Sequence, residues 1–136
     1  MCEISTDYLK SIYLDEECCC SESLFRAPLK ARGIEPPMES RLMLSGFSGG
    51  VSIEDFCGAL IGGVAAIGYL VNKDDDESFE LSKEITVEFT EACKAFFGTY
   101  NCHEIKTVYR NEEIRCYDAV KEIYRILEET LRKRGI

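Results

Sequence analysis

The sequence contains eight cysteines and a single histidine, and these are the residue types best suited to carry chemistry. No two cysteines have the spacing of a C-x-x-C motif, which argues against a thioredoxin-type centre, a zinc knuckle and a bacterial ferredoxin motif. His103 follows a cysteine, but no upstream cysteine has the spacing for covalent haem attachment. A metal site must therefore collect its ligands from different helices. The cysteines are Cys2, Cys18, Cys19, Cys20, Cys57, Cys93, Cys102 and Cys116.

The expected compartment decides how the cysteines are interpreted. The first residues lack the basic segment and apolar run of a signal peptide, which predicts a cytoplasmic protein. The longest uncharged stretch, Phe56 to Asn72, is interrupted by four glycines and is shorter than the roughly 20 residues of a membrane-spanning helix. In a reducing compartment, clustered cysteines are more often metal ligands or redox-active thiols than structural disulfides.

Composition excludes several classes of function. The 136 residues include 16 basic and 25 acidic side chains, for a net charge of −9. This length fits one domain, residues 1–136, that buries roughly two-thirds of its unfolded surface and needs no disulfide. An acidic chain without a basic stripe is not expected to bind nucleic acid. Hydrolytic triads, phosphate loops and dinucleotide fingerprints are missing from the sequence, so any enzymatic activity is expected to be that of an oxidoreductase.

Hydrophobic periodicity is helical along the chain and predicts an all-α fold, an irregular bundle of five to six helices. Ser52 and Asp55 form a capping-box pattern that marks one helix start, and Asn101 with Glu104 marks a short turn. Pro28 lies inside the second helix and is expected to kink or split it. The predicted helices cover roughly residues 4–14, 16–32, 38–45, 52–71 and 78–97, and the last helix begins near residue 111.

These helices give the cysteines different surroundings. Cys57 and Cys102 are predicted near helix starts, where free N–H groups and the helix dipole stabilise a thiolate. Cys93 lies on a buried stripe and is expected to behave as an apolar core residue. In the triplet 18–20 the side chains point about 100° apart, so at most one or two of them can face a single site.

Two motifs and their neighbouring cysteines resemble the C_GCAxxG_C_C family of proteins, which is named for this pattern. Residues 57–62 read C-G-A-x-x-G, and residues 45–50, S-G-F-S-G-G, look like the family's S-G-F-G-G-G stretch. The resemblance covers nearly the whole chain, from about Glu16 onward. By position, the family cysteines correspond to Cys20, Cys57, Cys102 and Cys116.

The resemblance implies a helical domain with a redox role and kinship with the iron–sulfur module of split-Soret cytochrome c. That kinship implies an iron–sulfur cluster of the 2Fe–2S type, held by the four family cysteines for electron transfer to a partner protein. Gly58 and Gly62 would leave room beside the cluster, and His103 could support the site as a ligand or proton donor. The chain departs from the family in its extra cysteines, and Cys18 and Cys19 have no assigned role.

Three other hypotheses remain open. The same thiols could perform thiol–disulfide exchange without a metal. They could instead hold a structural zinc ion in a helical binding module. Finally, the cysteines could be core residues of a dimerisation domain, whose glycine-rich helix packs against its copy in a symmetric homodimer.

Overall fold

The structure, a computed structural model, describes residues 3–136, which form the predicted all-α fold without a strand. The predicted count of five to six helices is slightly low, because the turn expected at Asn101 continues into a full helix. Residues Ser11–Asp15 form a π-helical turn, whereas the segment Gly50–Glu54 contains non-helical backbone angles. Its α-helices are α1 (Asp7–Lys10), α2 (Cys20–Lys30), α3 (Met38–Ser45), α4 (Gly58–Val71), α5 (Asp76–Phe97), α6 (Cys102–Tyr109) and α7 (Tyr117–Lys133).

Helix α4 lies at the centre of the core and contacts α2, α5 and α7. Its glycines allow the close approach. Gly62 meets the backbone carbonyl of Ser21 in α2, and Gly63 lies against the ring of Phe89 in α5. The face that carries these two glycines is therefore covered within the chain. Within residues 3–136, no helix is long and apolar enough to cross a membrane.

The start of the second helix differs from the prediction. Helix α2 begins at Cys20, not near Glu16, because Glu17 has a φ of 55° and Cys19 is extended. A left-handed residue cannot continue a right-handed helix, so the chain changes direction immediately before the cysteine triplet. The helix is not split at Pro28, which lies in its last turns.

The capping box predicted at Ser52 does not form. Val51, Ser52 and Glu54 all have positive φ angles, and α4 begins at Gly58. Left-handed backbone at a β-branched valine is strained and rare, and such strain is concentrated at functional sites. Cys57 is consequently the N-cap residue of α4 and does not lie in the second turn of an earlier helix.

The last helix also starts later than predicted. Asn111 and Arg115 form a bridge that closes a tight turn, and Arg115 has a φ of 54°. Helix α7 therefore begins at Tyr117, with Cys116 as its N-cap. From there its apolar face packs into the core, as the threefold and fourfold spacing predicts.

A buried ion pair fastens α7 to the end of α2. The side chain of Glu128 is only 1% exposed, and its two carboxylate oxygens accept hydrogen bonds from Arg32 at 2.8 and 3.0 Å. Arg132 lies 3.7 Å from the same carboxylate. A buried charge is tolerated only when it is paired, so this carboxylate depends on its arginines.

We expect Arg32→Ala to lower the free energy of unfolding by about 2–4 kcal/mol, because it removes the guanidinium that donates to both oxygens of the buried Glu128 carboxylate. Urea denaturation measures the change. Arg125→Ala is the control, since Arg125 pairs with two partly exposed glutamates on α7 and should cost at most about 1 kcal/mol. Equal losses in the two variants would contradict the assignment.

Candidate cysteine site

Four cysteines lie at the N-terminal ends of four different helices. Cys20 and Cys102 are the first residues of α2 and α6. Cys57 and Cys116 are the N-cap residues of α4 and α7. The start of a helix has unpaired backbone N–H groups and the positive end of its dipole. The arrangement therefore surrounds the sulfurs with groups that favour thiolates.

Burial and the charges of neighbouring cysteines act on the pKa values of three of these thiols. Burial is the main reason that the pKa values of Cys20, Cys57 and Cys102 are raised, to about 12 for Cys57. The charge of Cys20 further raises the pKa of the other two, and the charge of Cys116 raises those of Cys20 and Cys102. These three thiols are protonated at neutral pH, so a metal that binds them must displace protons.

Backbone and hydroxyl donors point at two of the sulfurs. Cys20 accepts hydrogen bonds from the N–H of Gly49 and the hydroxyl of Ser48. Cys57 accepts hydrogen bonds from two N–H groups in the first turn of α4. Such bonds stabilise a thiolate and tune the reduction potential of clusters bound through it.

The glycine-rich stretch before α4 is inserted between two of these cysteines. A Cβ atom on Gly58 would lie 2.5 Å from the carbonyl oxygen of Phe47 and 3.0 Å from the Sγ of Cys20. One on Gly50, where φ is 63°, would lie 2.6 Å from the Cβ of Cys102. Gly58 thus lies against Cys20, whereas Gly62 packs against α2 at Ser21.

A short backbone ribbon connects Cys57 and Cys102. The N–H of Cys57 donates to the carbonyl of Tyr100 at 2.8 Å, and the N–H of Cys102 donates to the carbonyl of Asp55 at 2.5 Å. An antiparallel bridge joins the two segments, and the rings of Phe56 and Tyr100 stack 5.4 Å apart. The two helix starts are therefore fixed relative to each other.

Tyr13 anchors the fourth cysteine from the N-terminal part of the chain. Its hydroxyl accepts a hydrogen bond from the N–H of Cys116 at 3.2 Å. The guanidinium of Arg115 lies 4.1 Å from the centre of the Tyr13 ring and donates to the Tyr13 carbonyl. Burial raises the pKa of Tyr13 to about 12, so the phenol stays neutral. The sequence analysis missed Tyr13 and Arg115, because no local pattern connects them to the cysteines.

Ser48 and Gly49 were missed for a different reason. The sequence singled out their stretch, residues 45–50, only as part of a resemblance and gave it no position in the site. The run of small residues beside a C-G-A-x-x-G motif was the available signal. The contact of this run with Cys20 could not be predicted from the sequence, because only the fold brings the two together.

The structure separates Cys20 from the two preceding cysteines. Cys18 and Cys19 share a hydrogen bond, and the Sγ of Cys19 lies 3.6 Å from the hydroxyl of Ser21. The Sγ of Cys18 is 3.8 Å from the guanidinium of Arg26. Their polar contacts thus lie along α2, whereas Cys20 meets the glycine-rich stretch at the site.

The remaining candidates lie elsewhere. Cys93 is fully buried in α5, which confirms the prediction that it is a core residue. The His103 side chain is 67% exposed, and its Nδ1 lies 3.5 Å from Glu54. Cys2 falls outside the described residues. Within the described range, no three His, Cys, Asp or Glu side chains are placed to hold a single metal ion.

Comparison with known proteins agrees with the geometry. A family model described as "Putative redox-active protein (C_GCAxxG_C_C)" matches residues 18–130. No match was found among curated proteins or solved structures. The matched range contains all four cysteines at the helix starts and covers most of the chain. The chain therefore belongs to the C_GCAxxG_C_C family.

Proposed function

We propose that the protein binds an iron–sulfur cluster and uses it to transfer electrons to a partner protein in a reducing, cytoplasmic environment. The observation that carries the proposal is the meeting of four cysteine-bearing helix starts. Cysteine thiolates are the standard ligands of such clusters, and four are the usual complement. The ligands would be Cys20, Cys57, Cys102 and Cys116.

The chemistry of this donor set fits a cluster. Thiolates bound to iron carry negative charge, which the four helix starts and the hydrogen bonds to Cys20 and Cys57 stabilise. Gly50 and Gly58 let the backbone approach the ligands closely, since a Cβ atom at Gly50 would meet Cys102 and one at Gly58 would meet the Sγ of Cys20. A bound cluster would supply reversible one-electron chemistry. The chain's contribution is to hold the thiolates, give up their protons and shield the buried Cys57 from water.

The alternative of a structural zinc ion has less support. Zinc is held by four sulfurs at about 2.3 Å, which places neighbouring sulfurs about 3.8 Å apart. The described side chains include no three placed for one ion. A cluster contains several metal and sulfide atoms and takes its ligands from a wider ring. Structural zinc sites also usually take a pair of ligands from a short C-x₂₋₄-C segment, which is missing from this sequence.

A second candidate function is thiol–disulfide exchange at Cys18 and Cys19. The two neighbouring thiols share a hydrogen bond and are only partly buried. In such a reaction the Cys19 thiolate would attack a small disulfide, form a mixed disulfide and release one thiolate. This function needs no metal and uses cysteines other than the proposed ligands.

Anaerobic purification followed by metal and sulfide analysis tests the main proposal. We expect brown protein that contains iron and acid-labile sulfide in similar amounts and loses its visible absorbance when reduced. Reconstitution should be more complete at higher pH, because the raised pKa values of Cys20, Cys57 and Cys102 keep these ligands protonated. Colourless protein that takes up no iron on reconstitution would overturn the proposal, and stoichiometric zinc would favour the structural alternative.

A further inference from the structure

A cationic pocket of about 470 Å³ opens beside the cysteine site. It lies next to the site in the chain, because His103 follows Cys102 and Arg115 precedes Cys116. The volume is in the range of small-molecule sites, about 300–1,000 Å³. Positive charge concentrated in one pocket is notable in a chain with a net charge of −9. The lining includes His103, Lys106, Arg110, Arg115, Glu54 and Glu112.

Two of the pocket's guanidinium groups have no carboxylate partner among the described residues. Arg110 meets the Sγ of Cys116 at 3.9 Å. Arg115 is held by the ring and carbonyl of Tyr13, which are neutral groups. Their charges are therefore available to an anion. Arginine binds carboxylates and oxyanions through paired N–H groups, which gives geometric selectivity as well as attraction.

The pocket already contains one carboxylate of the chain itself. Glu54 lies 2.5 Å from the Nζ of Lys106 and 3.5 Å from the Nδ1 of His103. It is delivered there by the strained segment Gly50–Glu54, where Glu54 has a φ of 56°. This ion pair shows that a carboxylate can be held at this surface. An external anion must therefore displace Glu54 or bind beside it.

We infer that this pocket binds a small dianion, such as a dicarboxylate or a sulfate-like oxyanion, with Arg110 and Lys106 as its main contacts and Glu54 as an internal competitor. The neighbouring cysteines connect the pocket with electron transfer. An anion held here lies beside Cys102 and Cys116, where electrons would enter or leave. That role as a substrate or effector of electron transfer rests on the proposed function, whereas the binding itself requires no cluster.

The test is a titration of the metal-free, reduced full-length protein with sodium sulfate and, separately, with sodium malonate. Tris buffer and dithiothreitol are suitable because neither supplies a dianion, and sodium chloride at equal ionic strength is the reference. Amide chemical shifts of residues 103–115 report binding. We expect saturable shifts with a Kd of about 1 mM or lower for at least one dianion, and none for chloride. The dianion that binds more tightly identifies the geometry the pocket prefers.

Variants with opposite expected effects make the test specific. Arg110→Gln should weaken binding about fivefold to tenfold, because it removes a guanidinium that has no carboxylate partner among the described residues. Glu54→Gln should tighten binding about two- to fivefold, because it removes the competing carboxylate. Lys83→Gln removes one positive charge from α5, outside the pocket, and should leave the Kd unchanged.

Equal responses to chloride and to both dianions would overturn the inference, as would unchanged binding in Arg110→Gln or weaker binding in folded Glu54→Gln. Circular dichroism verifies the fold of each variant. The iron and sulfide content of the unsubstituted protein, measured after reconstitution, reports separately on the proposed function. Saturable anion binding without iron uptake, or iron uptake without saturable anion binding, therefore shows which of the two proposals has failed.

Discussion

Replacing Cys20 with alanine is expected to abolish iron and sulfide binding, whereas replacing Cys18, two positions earlier, should leave both unchanged. The Sγ of Cys20 receives hydrogen bonds from Ser48 and Gly49 and is influenced by the charge of Cys116. Cys18, which precedes α2, instead contacts Arg26 of that helix. The two variants remove the same atoms from the same triplet, so the comparison isolates the position of the sulfur.

The other proposed ligands should behave in the same way. Altering a group that merely orients a ligand typically costs 10- to 100-fold in metal affinity, so loss of a ligand should lower the bound iron at least about tenfold. Alanine at Cys57, Cys102 or Cys116 should give this loss. Cys93→Ala is the control for a buried cysteine outside the site, and circular dichroism verifies that each variant is folded. Full iron content in Cys57→Ala, or equal losses in the Cys18 and Cys20 variants, would contradict the assignment.

The helices were predictable because their signals are local. The buried stripe of α5, with Phe89 and Cys93 in the core, follows from spacing alone. The N-cap role of Asn101 was also predictable, since its side chain accepts a hydrogen bond from the N–H of Glu104 at 3.0 Å. These interactions join residues within a few positions of each other, which is the range that a sequence pattern samples.

The helix starts beside the cysteines were not predictable in this way. Val51 and Ser52 adopt left-handed backbone in a segment where Gly50 lies against Cys102 and Asp55 accepts the Cys102 N–H. These contacts join segments about fifty residues apart in sequence. A capping-box pattern describes only local preference, and here the long-range contacts prevail.

The meeting of the four cysteines could not be predicted from local patterns either. Tyr13 binds the backbone of Cys116 across a separation of 103 residues, and no spacing rule connects them. The identity of the four cysteines came from the resemblance alone. The structure adds that each of them occupies a helix start, a shared feature that the misplaced starts of α2, α4 and α7 had concealed.

The thiol of Cys19 is expected to react first with a disulfide reagent such as dithiodipyridine at about pH 6 in the metal-free protein. A hydrogen bond from Cys18, together with the N–H of Glu22 and the hydroxyl of Ser21, lowers the pKa of Cys19 to about 5. Because this pKa is depressed, the thiolate is present above about pH 5 and disappears below it. Burial raises the pKa values of Cys20 and Cys57, which should remain unmodified at the same pH.

The expected rate advantage is smaller than the pKa alone suggests. At about pH 6 the thiolate fraction of Cys19 is about 300 times that of an ordinary thiol with a pKa of about 8.5. A less basic thiolate is also a weaker nucleophile, which lowers its intrinsic rate about 30-fold and leaves a net advantage of about tenfold. Fragmentation mass spectrometry of the peptide that contains residues 18–20 locates the modified sulfur.

Cys18→Ala provides the matched control, because it removes the hydrogen bond that contributes most to the lowered pKa of Cys19. The reaction near pH 6 should slow in this variant, whereas the reaction near pH 9 should become faster, because an ordinary thiol is largely ionised there and its more basic thiolate is the better nucleophile. First modification at Cys20, or a pH profile that Cys18→Ala does not shift, would contradict the prediction. Selective reaction at Cys19 beside an intact set of four ligands would assign exchange chemistry and cluster binding to different members of one triplet.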